Sequence, residues 1–149
     1  MRRPSLAQRK DDMTTVRDAV VASQQVEAPA DRVYAFARRM DNLPRWASGL
    51  ASGIEQQQGE WFADSPMGKV RVAMVPENAF GVLDHVVGLP DGTEVYNAFR
   101  VTPCGADRSL LSFVVLRFDG VDEKAFDRDV EHVRRDLLAL KQLMEGAPE

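Results

Sequence analysis

The chain has 149 residues, one cysteine and a formal net charge of −4 at pH 7. This length suits one domain with a core large enough to contain a pocket. Because Cys104 has no cysteine partner, an internal disulfide is excluded and a reducing, cytoplasmic location is expected. No apolar run approaches the ~18 residues of a membrane span. The acidic balance argues against nucleic acid as a partner, because phosphate contacts need a basic surface.

The N-terminal segment 1–13, MRRPSLAQRKDDM, carries basic residues but no apolar stretch after them. No signal peptide is therefore visible, and we expect a disordered leader. Residues 14–146 are expected to form a single domain, because no linker-like stretch interrupts them. Within this domain, residues 14–27 are rich in valine and threonine, which predicts a first strand.

Two short helices are predicted after the first strand. In APADRVYAFARRM, apolar residues recur at three- and four-residue steps from Val33 to Met40. Pro29 stands near the start of this helix, where its missing N–H is harmless. The next segment, DNLPRWASGL, predicts a short second helix or turn, because Pro44 suits a first turn and Gly49 can end it.

Residues 50–118 alternate short strands with turn sequences such as PDGT and PCGADR, which predicts an antiparallel meander. The terminal segment 122–145 carries one apolar stripe at steps of four and three residues, which predicts a long amphipathic helix against the sheet. The predicted strands are 51–57, 60–64, 67–75, 80–88, 93–102 and 109–118. The predicted stripe consists of Phe126, Val130, Val133, Leu137, Leu140 and Met144.

This order of elements resembles the helix-grip superfamily, which includes START-type lipid carriers, birch-pollen-allergen-like proteins and the polyketide cyclase/dehydrase group (SRPBCC). The resemblance covers roughly residues 16–145 and rests on VEAPADRVYAFARRMDNLPRWASGL, followed by the meander and the long helix. It implies an α+β fold in which a curved seven-stranded antiparallel sheet wraps around the C-terminal helix. It also implies a cavity between sheet and helix that holds a hydrophobic or aromatic small molecule. The superfamily has no shared catalytic motif, so the resemblance assigns no reaction.

Neighbouring residues of a strand point to opposite faces, so Asp84 and His85 in FGVLDHVVGLP cannot form an acid–base pair with each other. A two-residue turn at 91–92 would pair Asp84 with Phe99, and the next turn would pair Phe99 with Ser112. These registers point Asp84 into the cavity and His85 to solvent, and a one-residue bulge would exchange the two faces. The predicted cavity face carries Trp61, Val70, Val72, Met74, Val82, Asp84, Val86, Val95, Asn97, Phe99, Ser112 and Val114. The predicted outer face carries Lys69, Arg71, His85, Glu94, Tyr96, Arg100 and Arg117.

Asp84 is the first catalytic candidate. Burial in an apolar pocket would raise its pKa, and the neutral acid could hydrogen-bond a ligand carbonyl or transfer a proton. A carboxylate held by structural hydrogen bonds is an equally good interpretation, and His85 is the alternative candidate if the register slips. No metal or other cofactor is expected, because His85 and His132 have no cluster of further ligands near them. The expected ligand-binding residues are Trp46, Trp61, Val72, Met74, Asn97, Phe99 and Ser112.

Three functions remain open. The first is binding of a hydrophobic or aromatic small molecule in the cavity. The second is an enzyme of the cyclase/dehydrase type, in which Asp84 transfers a proton and Asn97 or Ser112 stabilises an oxyanion. The third is a non-enzymatic interaction module, expected as a homodimer, because apolar residues on the predicted outer face invite a partner. That outer patch would consist of Leu83, Val87, Leu111, Phe113 and Val115.

Overall fold

The computed structural model describes residues 16–50 and 53–146. The predicted leader 1–13 lies outside these residues, as do residues 51–52 of the second predicted strand. The helices are α1 (Ala30–Ala37), α2 (Leu43–Trp46) and α3 (Glu123–Gly146), with 3-10 turns at Met40–Asn42 and Ser48–Leu50. The strands are β1 (Val16–Val26), β2 (Ile54–Gln57), β3 (Glu60–Ser65), β4 (Gly68–Met74), β5 (His85–Gly88), β6 (Glu94–Pro103) and β7 (Ser109–Phe118).

The strands form one antiparallel sheet in the order β1-β7-β6-β5-β4-β3-β2. Strands β2 to β7 are a meander, as the closely spaced turn sequences predict, and β1 closes the sheet beside β7. Helix α3 packs against this sheet, and the short helices follow β1. The predicted α+β architecture, a sheet wrapped around a long C-terminal helix, is confirmed.

The apolar stripe of α3 faces the sheet. Leu137 and Leu140 are fully buried, and Val133 packs half-buried beside them. Asp122 begins the helix, because its side-chain oxygen accepts a hydrogen bond from the Ala125 N–H at 2.8 Å. Steps of four and three residues keep the stripe on one side of the helix, so the stripe and the inner face of the sheet form a common core. The remaining buried stripe residues are Phe126, Val130 and Met144.

The hairpin between β5 and β6 differs from the prediction by one residue. The turn contains three residues rather than two, because the Leu89 N–H donates to the Thr93 carbonyl at 2.8 Å. Gly92, with φ of 92°, occupies the left-handed position that such a turn requires. His85 therefore lies opposite Asn97, and the predicted pairing of Asp84 with Phe99 is wrong.

The hairpin between β6 and β7 also differs by one residue. Pro103 pairs with Ser109, which places Phe99 opposite Phe113 instead of Ser112. Together the two differences exchange the faces of β5 and β7, while β6 keeps its predicted orientation. His85 is thus on the inner face, and the residues wrongly predicted there are Val82, Asp84, Val86, Ser112 and Val114.

The same exchange removes the apolar outer patch that was expected to support a homodimer. Leu83, Leu111 and Val115 are buried inside the molecule, and Val87 and Phe113 line a cavity between the sheet and α3. The predicted interface is wrong, because its members belong to the core side of the sheet.

Candidate functional site

A cavity of about 550 Å³ lies between the inner face of the sheet and α3. Most of its wall is apolar, and a few polar side chains enter it from both sides. His85 and Asn97 come from the sheet, whereas Asp129, His132 and Asp136 come from α3. An apolar cavity with a small number of polar groups is the usual form of a small-molecule site. Its apolar wall includes Trp46, Leu50, Val72, Val87, Val95, Phe113, Val115, Val133 and Leu137.

Three of the predicted ligand-binding residues, Trp46, Val72 and Asn97, line this cavity. Phe99 is 0 % exposed and supports the wall from behind, with its ring centroid 5.5 Å from those of Trp46 and Phe113. Trp46 is brought to the cavity by α2, whose first turn contains the proline that sequence analysis placed there.

The other three predicted ligand-binding residues lie elsewhere. Trp61 and Met74 line a separate surface groove beside Arg71. Met74 nevertheless lies opposite His85 and packs against the core. Ser112 lies on the outer face opposite Arg100, so its prediction as a cavity residue is wrong for the same reason as that of Asp84.

His85 is a half-buried titratable side chain that enters the cavity from the sheet. Its Nδ1 lies 3.0 Å from the Leu83 carbonyl oxygen. Because a carbonyl oxygen can only accept, Nδ1 carries the proton and Nε2 carries the lone pair. Burial lowers the pKa of His85, and the Leu83 hydrogen bond and the charge of Asp84 oppose this only in part. The imidazole is therefore neutral near pH 7 and offers Nε2 as an acceptor or a base.

Among residues 16–50 and 53–146, the Nε2 atom has one polar neighbour within hydrogen-bond distance. The Asn97 amide nitrogen lies 3.4 Å away, which is long for a hydrogen bond. The Phe113 ring packs beside the imidazole, with ring centroids 6.0 Å apart in an edge-on arrangement. The lone pair of Nε2 is thus only weakly engaged by the chain and remains available to a bound molecule.

Asp84 points away from the cavity. Its carboxylate accepts hydrogen bonds from the Tyr96 hydroxyl at 2.6 Å, the Phe99 N–H at 2.9 Å and the Arg100 guanidinium at 3.1 Å. Burial raises the pKa of Asp84, but the hydrogen bonds from Arg100, Tyr96 and Phe99 together outweigh burial, and the net pKa is lowered. The predicted inward orientation and the predicted upward shift are both wrong. Asp84 is an ionised, structurally bonded carboxylate, 1 % exposed, beneath the outer face.

A serine, a histidine and an aspartate meet where the Ser48–Leu50 turn contacts α3. The Ser48 hydroxyl donates to Asp136 at 2.7 Å, and the Ser48 backbone N–H donates to the same oxygen at 3.1 Å. His132 Nε2 lies 3.2 Å from the Ser48 hydroxyl and 3.5 Å from Asp136. A nucleophilic triad needs the carboxylate on the opposite ring nitrogen from the serine, whereas both groups here contact Nε2. The cluster ties the turn to α3 at the cavity wall.

This cluster was not predicted from the sequence, although His132 and Asp136 stand four residues apart and share one side of the helix. Asp129 lies one turn earlier, and burial raises its pKa, while the charges of His132 and Arg128 oppose the rise. The helix therefore contributes a carboxyl group that is more easily protonated than an ordinary aspartate, facing the same cavity as the neutral His85.

The Trp46 side chain brings a buried polar group to the cavity wall, within the part of the chain that the structure describes. The Trp46 indole N–H is buried without a hydrogen-bond partner among these residues, which is a cost that a bound acceptor could remove. Residues 16–50 and 53–146 contain no group of three or more His, Cys, Asp or Glu side chains placed to hold a metal ion. Within the same ranges, no helix is both long and apolar enough to cross a membrane.

Comparison with known proteins places the fold. No family model matches the chain, and no curated protein matches it. Among solved structures, XoxI from Bacillus cereus superposes with a TM-score of 0.69 at 14 % identity, covering 87 % of this chain and 96 % of that one. The di-domain ARO/CYC BexL of the BE-7585A biosynthetic pathway matches with a TM-score of 0.67 at 21 % identity, covering 89 % of this chain and 48 % of BexL.

A START superfamily protein from Mycobacterium smegmatis matches with a TM-score of 0.61 at 17 % identity, covering 87 % of this chain and 99 % of that one. These identities are low, so the likenesses concern the fold and not the chemistry. These similarities of fold agree with the helix-grip resemblance, which rests on the short helices after β1, the meander and the C-terminal helix. The chain has the helix-grip fold that is shared by START-like and SRPBCC proteins.

Proposed function

We propose that the chain binds a hydrophobic small molecule in the cavity between the sheet and α3. The observation that carries this proposal is a cavity of about 550 Å³ whose wall is mainly apolar. The similarity of fold to a START superfamily protein and to the ARO/CYC protein BexL supports the same class of function.

His85 gives this cavity a preference among apolar molecules. Its Nε2 lone pair is an acceptor in surroundings with few donors, so a ligand with a hydroxyl group gains a hydrogen bond there. Trp46 and Phe113 add flat apolar surface, which favours an aromatic ring. The preferred ligand is therefore an aromatic molecule with at least one hydroxyl donor.

Two matched probes test this function. We expect 2-naphthol to bind more tightly than 2-methoxynaphthalene by roughly 2- to 10-fold, the effect of one hydrogen bond of about 0.5–1.5 kcal/mol. The His85→Phe variant should bind both probes with similar affinity, because it keeps the ring and loses the acceptor. Asp107→Asn, on the exposed loop between β6 and β7, is the control variant. Calorimetric titration that finds no binding of either probe to the wild-type protein would contradict the proposal.

Proton transfer is the second candidate function, because the cavity holds two titratable groups whose neutral forms are both favoured by burial. The pKa of His85 is lowered by burial, which leaves a neutral base, and the pKa of Asp129 is raised by burial, which favours an acid. In a cyclase/dehydrase-type reaction, His85 would take the role that sequence analysis gave to Asp84, with Asn97 as a hydrogen-bond donor.

Deuterium exchange at the carbon between the ring and the carbonyl of 2-tetralone, followed by NMR, tests for such a base. The part of the wild-type rate that exceeds the buffer rate should fall by roughly 10²-fold or more in His85→Phe, as is usual for loss of a general base. Asp107→Asn should exchange at the wild-type rate. A wild-type rate equal to that of buffer would remove the enzyme hypothesis and leave the binding function standing.

A further inference from the structure

The strand ladder between Leu83 and Phe99 is missing one of its two expected backbone bonds. The Leu83 N–H donates to the Phe99 carbonyl at 2.8 Å, as in a hydrogen-bonded antiparallel pair. In such a pair the Phe99 N–H would return the bond to the Leu83 carbonyl. It donates instead to the Asp84 side chain, at 2.9 Å. A carboxylate oxygen thus stands in the position where the ladder would have a backbone carbonyl.

The replaced carbonyl has a different partner. The Leu83 oxygen accepts the Nδ1–H of His85 at 3.0 Å, and this bond fixes the tautomer and the rotation of the imidazole. An ordinary ladder would occupy the Leu83 oxygen with the Phe99 N–H. A carbonyl oxygen can accept two hydrogen bonds, each weaker when the oxygen is shared. Because the Asp84 carboxylate takes the Phe99 N–H, the Leu83 oxygen does not share its acceptor capacity between Phe99 and His85.

We infer that Asp84 is a positioning residue for His85, acting through the Phe99 N–H and the Leu83 carbonyl from the opposite face of the sheet. The value of this arrangement for ligand binding rests on the proposed function, in which the Nε2 lone pair of His85 meets the bound molecule. Asp84 itself contacts no ligand in this account, because its side chain lies on the outer side.

The outer partners of Asp84 hold the carboxylate in place. The Tyr96 hydroxyl donates at 2.6 Å and the Arg100 guanidinium at 3.1 Å, both from the outer face of β6. The backbone of Asp84 is held as well, because its carbonyl oxygen accepts the Val75 N–H at 2.9 Å. Segment 83–84, which precedes β5, is therefore fixed between β4 and β6 by side-chain and backbone bonds together.

The bond pattern can be measured directly in the wild-type protein without ligand. Scalar coupling across the hydrogen bond should connect the Phe99 amide nitrogen to the side-chain carboxyl carbon of Asp84. Long-range proton–nitrogen correlation should find the His85 proton on Nδ1. A coupling from Phe99 to the backbone carbonyl carbon of Leu83 would overturn the inference, whatever any variant does.

Two variants separate positioning from simple structural support. In Asp84→Ala the Phe99 N–H can return to the Leu83 carbonyl, so His85 should change to the Nε2–H tautomer or to a mixture of tautomers. Arg100→Met removes the outer ion pair but leaves the acceptor of the Phe99 N–H, so the Nδ1–H tautomer should persist. A folded Asp84→Ala protein with the wild-type tautomer would overturn the inference, as would a loss of that tautomer in Arg100→Met.

The measurement of the His85 tautomer is independent of the proposed function, because it needs no ligand. The titratable groups that share the cavity with His85 from the side of α3 are Asp129, His132 and Asp136, and both variants leave them unchanged. If the naphthol probes fail to bind while the tautomer changes as expected, the proposed function fails and the positioning role stands. If the probes bind and the His85 tautomer does not change in Asp84→Ala, the positioning role fails and the proposed function stands.

Discussion

At the scale of single residues, His85 shows how burial and one backbone acceptor determine what a side chain offers to a ligand. The ordinary pKa of histidine is 6.5, and burial lowers that of His85. A protonated imidazole has no lone pair to accept with, so hydroxyl binding requires the neutral form. The lowered pKa keeps that form populated throughout the neutral range and below it.

This gives a prediction for the pH dependence of 2-naphthol binding. The affinity should stay constant as the pH falls to 6.5 and should decrease only below that value, through the lowered pKa of His85. Calorimetric titration from pH 8 to pH 5 measures this profile, and 2-methoxynaphthalene is the control, because it donates no hydrogen bond. A loss of 2-naphthol affinity centred at or above pH 6.5 would show that His85 is not desolvated as described.

A second residue-scale prediction concerns Gly81, which precedes the Val82 bridge to β6. Its φ is 71°, and an added Cβ would lie 2.1 Å from the Val101 carbonyl oxygen. Gly92 has φ of 92° and nothing within 4 Å of an added Cβ. Gly92→Ala should therefore cost only the backbone strain, about 1–2 kcal/mol, and Gly81→Ala clearly more. Denaturant titration compares the two variants, and equal losses would mean that the close approach at Val101 relaxes without cost.

At the scale of secondary-structure elements, α3 allows a comparison of two adjacent leucines. Leu137 is 1 % exposed and faces the sheet, whereas Leu138 is 42 % exposed. Leu137→Ala should lower the free energy of unfolding by about 2–5 kcal/mol, because it removes buried methyl groups and leaves a cavity. Leu138→Ala should cost less than about 0.5 kcal/mol, as surface substitutions usually do. Urea titration of both variants is the measurement, and a loss below about 1 kcal/mol for Leu137→Ala would contradict the packing of α3.

The secondary-structure elements differ in how well the sequence predicts which of their faces is buried. The stripe of α3 runs from Phe126 to Met144, about five helical turns. A shift of one residue would expose most of it, so the pattern alone was enough to predict it correctly. The β3–β4 hairpin was also placed correctly, with Trp61 opposite Val72. The β5–β6 hairpin was not, because two- and three-residue turns accept the same Pro-Asp-Gly sequence. That one residue decided whether Asp84 or His85 entered the cavity.

The cavity residues could be predicted from the sequence only where the strand-pairing registers could be predicted. Residues that depend on the helices or on β6, namely Trp46 and Asn97, were identified as cavity residues. His85 was only the alternative candidate, because its face depends on the length of one turn. No sequence pattern predicts that the Phe99 N–H donates to the Asp84 carboxylate instead of the Leu83 carbonyl. This bond joins residues that are well separated in the chain and depends on how the two segments pack.

At the scale of the whole molecule, the sheet separates two kinds of chemistry. Its inner face and α3 enclose a neutral histidine in an apolar cavity, and its outer face carries the ion pair of Asp84 and Arg100. Both sets of groups have pKa values in the folded state that differ from their ordinary values, so both connect the stability of the whole fold to pH.

The signs of these two contributions give the last prediction. His85 has a lowered pKa in the folded protein, so below pH 6.5 the unfolded chain binds the proton first, and stability falls as the pH falls. Asp84 also has a lowered pKa, so its contribution is complete above pH 3.8 and is lost as the pH falls below that value. The contributions of His85 and Asp84 are therefore lost in two separate ranges as the pH falls, the first beginning near neutrality and the second below pH 3.8.

Urea titrations between pH 8 and pH 3 resolve the two ranges with one variant for each. His85→Phe should remove the loss that begins near pH 6.5 and keep the loss at lower pH, because phenylalanine does not titrate. Asp84→Asn should be less stable than the wild type near neutral pH, and the difference should narrow below pH 3.8, where the wild-type carboxylate also loses its charge. Arg100 makes the largest single contribution to the lowered pKa of Asp84, and because its side chain is more than half exposed, solvent weakens this ion pair and keeps the expected difference small. A constant difference between Asp84→Asn and wild type from pH 7 to pH 3 would mean that the carboxylate gains nothing from its partners on folding.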